Sequence, residues 1–180
     1  MATTKQQRAV HAARHEAHLY AAGAERPLGS FTGFMAAYAG AVVAGAGITR
    51  AFGRRLPERL ETRDLALLSV ATHKISRLLT KDPVTSPLRA PFTEFRGKAG
   101  EGELAEEVRG TGLRKAMGEL VTCPFCVGQW IATSLAFGFV VAPRPTRWAA
   151  SLFTALAAAD FLQFAYSAAD QAQEQLGEDG

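Results

Sequence analysis

The sequence predicts an all-α fold: an integral membrane helical bundle of three to four helices with a basic cytoplasmic loop. Three observations carry this. Apolar stretches of membrane-crossing length occupy residues 31–49, 120–142 and 147–168, the first two free of charge. The charges gather between these stretches, which a mean hydropathy of +0.01 conceals. Lys and Arg concentrate in residues 50–119, the connecting region. About 20 apolar residues at a helical rise of 1.5 Å cross the hydrocarbon core.

The 180 residues suffice for one compact domain. A net charge of +3 is modest, and the basic residues suit an anionic lipid surface. No RNA- or DNA-reading signature is present, so no nucleic acid is expected as a partner. Two cysteines cannot frame a disulfide scaffold. The N-terminus is too polar for a secretory signal, and no cleaved signal is expected.

Residues 1–30 read as a polar N-terminal tail, ended by Pro27 and Gly29. His11, His15 and His18 would share a face if it were helical. Residues 31–63 comprise a first membrane helix and a basic linker. Within them Gly33, Ala37, Ala41 and Gly45, and likewise Ala36, Gly40 and Ala44, form small-residue ladders that permit close helix approach in lipid. Pro57 is placed to open a further helix. Residues 64–80 form a half-apolar helix interrupted by His73, Lys74 and Arg77. Residues 81–119 are the main polar segment, broken by Pro83 and Pro87, flexible from Gly97 to Gly112, and helical again from Leu113. Pro143-Arg144-Pro145 reads as a tight turn, and residues 169–180 as an acidic C-terminal tail.

Basic loops favour the cytoplasm. With three spans, residues 64–80 lie on the inner surface, and fourteen basic residues sit inside against six outside. With four, the count is eleven against seven. Both arrangements put the loop at 81–119 and the C-terminus in the cytoplasm of a bacterial cell membrane. They differ on residues 1–63.

Depth arguments place polar groups from three helices in one layer. Asp160 lies about 12 Å from the inner end of its helix, Gln129 about 13 Å, and Lys74 and Arg77 about 10 and 6 Å. A carboxylate in lipid needs a partner. An intramembrane polar cluster is therefore expected, with Asp160 paired to Lys74 or Arg77 and with His73, Gln129 and Gln163 nearby. Such a cluster can dock helices or relay ions.

Cys123-Pro124-Phe125-Cys126 is the sharpest motif. It resembles the Cys-Pro-x-Cys of glutaredoxin-like oxidoreductases, and a thiol at a helix start can hold a larger thiolate fraction. It opens a membrane helix, however, rather than following a strand. Zinc needs four ligands and the pair supplies two; His73, or a second copy of the chain, could add others. Packing, thiol chemistry and zinc thus remain the three readings, and no other cofactor is expected.

Two blocks carry a family resemblance. One runs Ala71-Thr72-His73-Lys74-Ile75-Ser76-Arg77-Leu78-Leu79-Thr80-Lys81-Asp82 and continues through Ser86-Pro87-Leu88-Arg89-Ala90-Pro91-Phe92. The other runs Gly118-Glu119-Leu120-Val121-Thr122-Cys123-Pro124-Phe125-Cys126-Val127-Gly128-Gln129-Trp130. Together they resemble the uncharacterised bacterial membrane family of domain of unknown function 1360, which includes a YjcA-like sporulation protein. The resemblance covers about residues 64–168 and supports a span at 64–80. It implies that Arg77, Asp82, Pro87, Arg89, Phe92, Glu119, Cys123, Cys126, Gly128 and Trp130 are characteristic positions. It supplies no reaction.

Three functions follow as expectations. The first is a non-catalytic membrane anchor or scaffold, linked to sporulation or envelope development. Its inner loop would dock a cytoplasmic protein, or a second copy, through Asp82, Arg89, Phe92, Arg96 and Glu119. The second is a thiol-redox or metal-binding protein using Cys123 and Cys126. The third is a small transporter or channel component.

Overall fold

The computed structural model describes residues 2–24 and 26–178; residues 1, 25, 179 and 180 lie outside it, and with them Asp179 of the expected acidic tail. Helix α1 spans Ala2–Ala21, within the stretch that reads as a polar N-terminal tail. Its Ala, Gln and Arg content favours helix even without a core to pack on. Ala22 and Gly23, both at positive φ, end it. Helix α2 is Leu28–Ala51. Pro27 and Gly29 thus mark a helix start, consistent with the tolerance of proline just ahead of a first turn. Helix α3 spans Thr62–Lys81, with Asp64 in its first turn. Pro57 opens no helix; it lies in an irregular link, and α3 begins at the acidic residue that suits the positive end of the helix dipole.

After α3 come a 3-10 turn at Pro83–Thr85 and the one-turn helix α4, Ser86–Arg89. Strands β1, Thr93–Gly100, and β2, Glu103–Val108, pair as an antiparallel hairpin. Helices α5, Gly112–Thr122, α6, Pro124–Val141, and α7, Pro143–Glu178, complete the chain. Pro143 and Pro145 sit in the first turn of α7 rather than in the turn itself, which is made at Ala142. The acidic C-terminal segment continues α7 as helix, with every residue from Phe161 to Gln175 exposed.

Three helices, Leu28–Ala51, Pro124–Val141 and Pro143–Gln175, are long and apolar enough to cross a membrane. Helix α3 is too charged to join them on composition, yet it packs along both α6 and α7. The contacts fix the directions. Asp64 meets Arg147 and, further along both helices, Lys74 meets Asp160, so α3 and α7 run parallel. Tyr38 meets Thr133 and Gly45 meets Phe137, so α2 and α6 run parallel. Gly128, at the start of α6, packs on Thr72 and Ser76 of α3, whereas Phe139, near its end, joins the core with Leu67, Leu68 and Ala71. Helix α6 is therefore antiparallel to α3. The four helices alternate in direction as α2 up, α3 down, α6 up and α7 down. Residues 81–122 and the start of α2 lie at one end of the bundle, called here the loop end. The α2–α3 link and the α6–α7 turn lie at the other.

The core is thin and built on small residues: Ala71, Phe139 and Ala150, lined by Leu67, Leu68, Ile75, Leu135 and Phe153. Fully buried alanines let α3 and α7 approach closely, the device that serves helix pairs in lipid. The ladder on α2 is used at one rung. A Cβ on Gly45 would lie 2.6 Å from the Phe137 ring, whereas Gly33 and Gly40 have nothing within 4 Å.

The hairpin corrects the all-α expectation, since residues 97–112 read as flexible in sequence. Its two-residue connection, Glu101-Gly102, has Gly102 at φ +69°, and Gly97 takes φ +137° at a register shift. Glycine is the residue that adopts such backbone freely. The hairpin is fixed to the helices: Val108 lies against Gly118 of α5, where an added Cβ would come within 2.5 Å of its side chain and 3.0 Å of the Phe92 carbonyl oxygen.

Candidate functional site

The loop end carries a structured platform and two clefts. At the centre of the platform is Arg89, which is 0% exposed. Its Nε donates to the Glu106 carboxylate. One terminal nitrogen donates to the Leu79 carbonyl oxygen at 2.9 Å and to Thr85 Oγ1 at 2.7 Å; the other donates to the Asp82 carbonyl oxygen at 3.1 Å. Thr85 Oγ1 in turn donates to the Leu78 carbonyl oxygen at 2.5 Å. The carbonyls at a helix C-terminus have no intrahelical partners. Arg89 and Thr85 satisfy those of α3 and join them to β2 through Glu106. Thr93, also buried, ties its hydroxyl to the Arg89 carbonyl oxygen at 3.0 Å and lies 3.3 Å from Glu106. Arg89 was expected on an interaction surface; the structure makes it the internal fastener of that surface.

Two further arginines of the basic loop act on backbone. Arg114 donates twice to the Pro91 carbonyl oxygen, at 2.9 and 2.7 Å, and Arg109 to that of Ala90 at 2.7 Å. Guanidinium groups with several fixed donors suit such carbonyl clusters. The remaining loop candidates lie as follows. Asp82 caps the 3-10 turn through the Val84 amide at 2.9 Å. Phe92 is half-buried just ahead of β1. Arg96 is exposed, and pairs with Glu107 at 2.7 Å and Glu94 at 3.3 Å across and along the strands. Glu119 reaches Arg26 at 3.3 Å. Val84, Leu88, Phe95 and Leu113 project from the platform largely exposed.

The first cleft, of about 630 Å³, lies between α3, α7 and the hairpin tip. Lys74 and Asp160 meet in it at 2.5 Å. Arg77 pairs with Glu103 of the hairpin rather than with Asp160. His73 and Gln163 line the same cleft. Gln129 does not; it faces the second cavity. The expected cluster is thus distributed, with two helices and the hairpin tip contributing charges and α6 contributing none of them. Depth along a helix placed the residues in one layer, but rotation about the helix axis decides which of them meet.

The second cavity, of about 510 Å³, lies between α2 and the α5–α6 corner. Phe31, Phe34, Met35, Tyr38 and Trp130 form its walls, with Arg26, Glu119, Gln129, Cys123 and Cys126 at its polar side. Tyr38 stacks edge-on to Trp130 at 5.2 Å and its hydroxyl is 2.7 Å from Thr133 Oγ1. Arg26 sits over the Phe31 ring at 5.6 Å. Cys123 occupies the N-cap of α6, where its Sγ accepts from the Cys126 amide at 3.2 Å. Both thiols are free. A zinc site needs further donors. His73 lies in the first cleft, and among the described residues no group of three or more His, Cys, Asp or Glu gathers in metal-binding geometry. The set Cys123, Cys126 and His73 therefore does not fit one zinc ion within a single chain.

Sequence reasoning missed the pair at the opposite end. Asp64, buried, receives two hydrogen bonds from Arg147, at 2.8 and 2.7 Å, in the bidentate form that favours arginine. It also missed Glu103 and Glu106, the hairpin's partners for Arg77 and Arg89. Each is a charge at a position where only an apolar side chain would have signalled burial.

The family model for the protein of unknown function DUF1360 matches residues 67–166. The sporulation protein YjcA of Bacillus subtilis (strain 168) is 36% identical over 87 residues, covering 47% of this chain and 74% of that protein. No solved structure matches. The matched region takes in α3 from Leu67 on, the platform, α5, α6 and most of α7, that is, every residue of the Arg89 fastener and both cysteines, and leaves α1 and α2 outside. The chain belongs to the DUF1360 family.

Proposed function

We propose that the protein is a multi-pass anchor in the bacterial cell membrane that presents a rigid platform to a cytoplasmic protein partner, in a process tied to sporulation or envelope development. Four helices cross, and residues 81–122 and both termini face the cytoplasm. The Arg89 fastener is the observation that supports this reading most. It turns a polar loop into a shaped surface, held to the end of α3, with Val84, Leu88, Phe95 and Leu113 exposed on it. A loop that only connected two spans would need no buried arginine. The alternating helix directions favour four spans, because α3 packs within the bundle and Arg26, just ahead of α2, meets Glu119 at the loop end. The eleven-to-seven distribution of basic residues agrees in sign with the positive-inside tendency. The process is suggested by the printed name of the Bacillus relative alone.

The test is affinity capture from mild detergent with the intact chain and with Leu88→Ser/Phe95→Ser. The two replaced side chains are 64% and 63% exposed, so the variant should fold. A protein recovered with the intact chain and lost with the variant is the expected result. Recovery of the same proteins with both, or of nothing beyond the chaperones and proteases common to control baits, counts against the platform.

A further inference from the structure

The anchoring role makes no use of the cysteine pair or of the aromatic cavity beside it. We propose that Cys123 and Cys126 form a dithiol/disulfide couple whose electron acceptor is a planar, lipophilic quinone seated in the cavity between α2 and α6. This is a second function, independent of the platform.

Four features of the site converge. The sulfurs are neighbours, since Cys123 caps the helix on whose first turn Cys126 sits, with the Cys126 amide 3.2 Å from Cys123 Sγ. Residues three apart on a helical turn face the same side. The walls are aromatic and already paired edge-to-face, Phe31 with Phe34 at 6.5 Å and Tyr38 with Trp130 at 5.2 Å. Such walls suit a flat conjugated ring. Gln129 and Arg26 line the cavity with hydrogen-bond donors, as two ring carbonyl oxygens require. The volume, about 510 Å³, falls within the range of small-molecule sites. In the four-span reading the cavity opens beside α2 into the bilayer, the phase in which a lipophilic carrier is concentrated.

The reaction closes without another reactant. Both S–H bonds break and one S–S bond forms. Two electrons and two protons pass to the quinone, whose two carbonyl oxygens become the hydroxyl groups of a hydroquinone. Glu119, on the cavity wall and paired with Arg26, is the carboxylate of the site and the acceptor for the thiol proton on its way to the ring oxygen. The disulfide is recharged by thiol exchange with a soluble dithiol. Cys126 is the exposed sulfur and Cys123 the half-buried one, so attack falls on Cys126 and Cys123 leaves.

The experiment uses the full chain in phospholipid nanodiscs, reduced and then freed of reductant, mixed anaerobically with decyl-ubiquinone. The expected result is loss of both free thiols, a mass lower by two hydrogens, and one quinol formed per chain. Cys126→Ser should form no quinol. Met35→Trp, which fills the cavity from a lipid-facing position, should slow oxidation by the quinone at least about tenfold, as expected when a seated reactant becomes a diffusing one. The water-soluble oxidant diamide should still oxidise that variant at the rate of the intact chain. Thiols that survive the quinone, or equal quinone rates in the intact chain and Met35→Trp, would overturn the proposal. If Met35→Trp fails to fold, protection decides: decyl-ubiquinol should slow maleimide labelling of Cys126 in the intact chain, and unchanged labelling would overturn the proposal equally.

Discussion

Arg89→Ala is expected to destabilise the platform by roughly 3–5 kcal/mol, the range for removing one partner of a buried ion pair. The deletion strands Glu106, whose side chain is 6% exposed, without its counter-charge. It also removes the 2.9 Å donor to the Leu79 carbonyl oxygen, a donor to Thr85 Oγ1 and one of the donors to the Asp82 carbonyl oxygen, which keeps its bonds from Thr85. A loss of this size is a large fraction of the stability of an ordinary domain. The hairpin should detach, and limited proteolysis should cut rapidly at the Glu101-Gly102 turn, where the intact chain resists. Arg89→Lys should recover little, because one ammonium cannot reach acceptors spread around a planar fork. Arg89→Met/Glu106→Leu should resist cleavage better than Arg89→Ala, since it leaves no unpaired charge. Equal proteolysis of Arg89→Ala and the intact chain would show that the platform is held by something else.

Arg147→Ala is the second large effect. Asp64 is 5% exposed at its side chain, and Arg147 supplies both of its hydrogen bonds among the described residues. Arg147 itself is 39% exposed, so part of the pair is screened by solvent. The expected loss is smaller than that of Arg89→Ala, because the exposed guanidinium of Arg147 is screened by solvent. It should appear as a lower thermal unfolding midpoint in detergent and a poorer yield. Asp64→Asn should be milder than Arg147→Ala, because an amide leaves no buried charge. The reverse order would contradict the assignment of Asp64 as the group that needs neutralising.

The apolar blocks made the helices legible. Residues 31–49 and 120–142 each lie within or across a real helix, because a long uncharged run has few alternatives. Depth along two helices put both Lys74 and Arg77 within reach of Asp160, and Lys74 makes the contact. The hairpin did not show itself, and Glu106 explains why. In β2 every residue but Glu107 is half-buried, two carboxylates among them, so burial follows no alternation that the sequence could show. Without its partner, Arg89, seventeen residues earlier, the Glu106 carboxylate reads as solvated. The same blindness hid Asp64, whose partner lies 83 residues away. Arg77 stood beside Lys74 as an alternative partner for Asp160, because the hairpin that supplies its Glu103 was not foreseen. Charges that are buried only because they are paired announce themselves in neither composition nor periodicity; they appear once the fold brings the partner.

Everything proposed for the platform and the cavity depends on α3 crossing within the bundle and not lying along the inner surface. Cysteine-accessibility mapping of single cysteines at residues 20, 57, 100 and 146, in intact cells and in a chain whose native cysteines are replaced by serine, tests this directly. The four-span arrangement predicts that an impermeant maleimide labels positions 57 and 146 from outside and reaches 20 and 100 only after the membrane is opened. Labelling of position 20 from outside, with 57 protected, would contradict it.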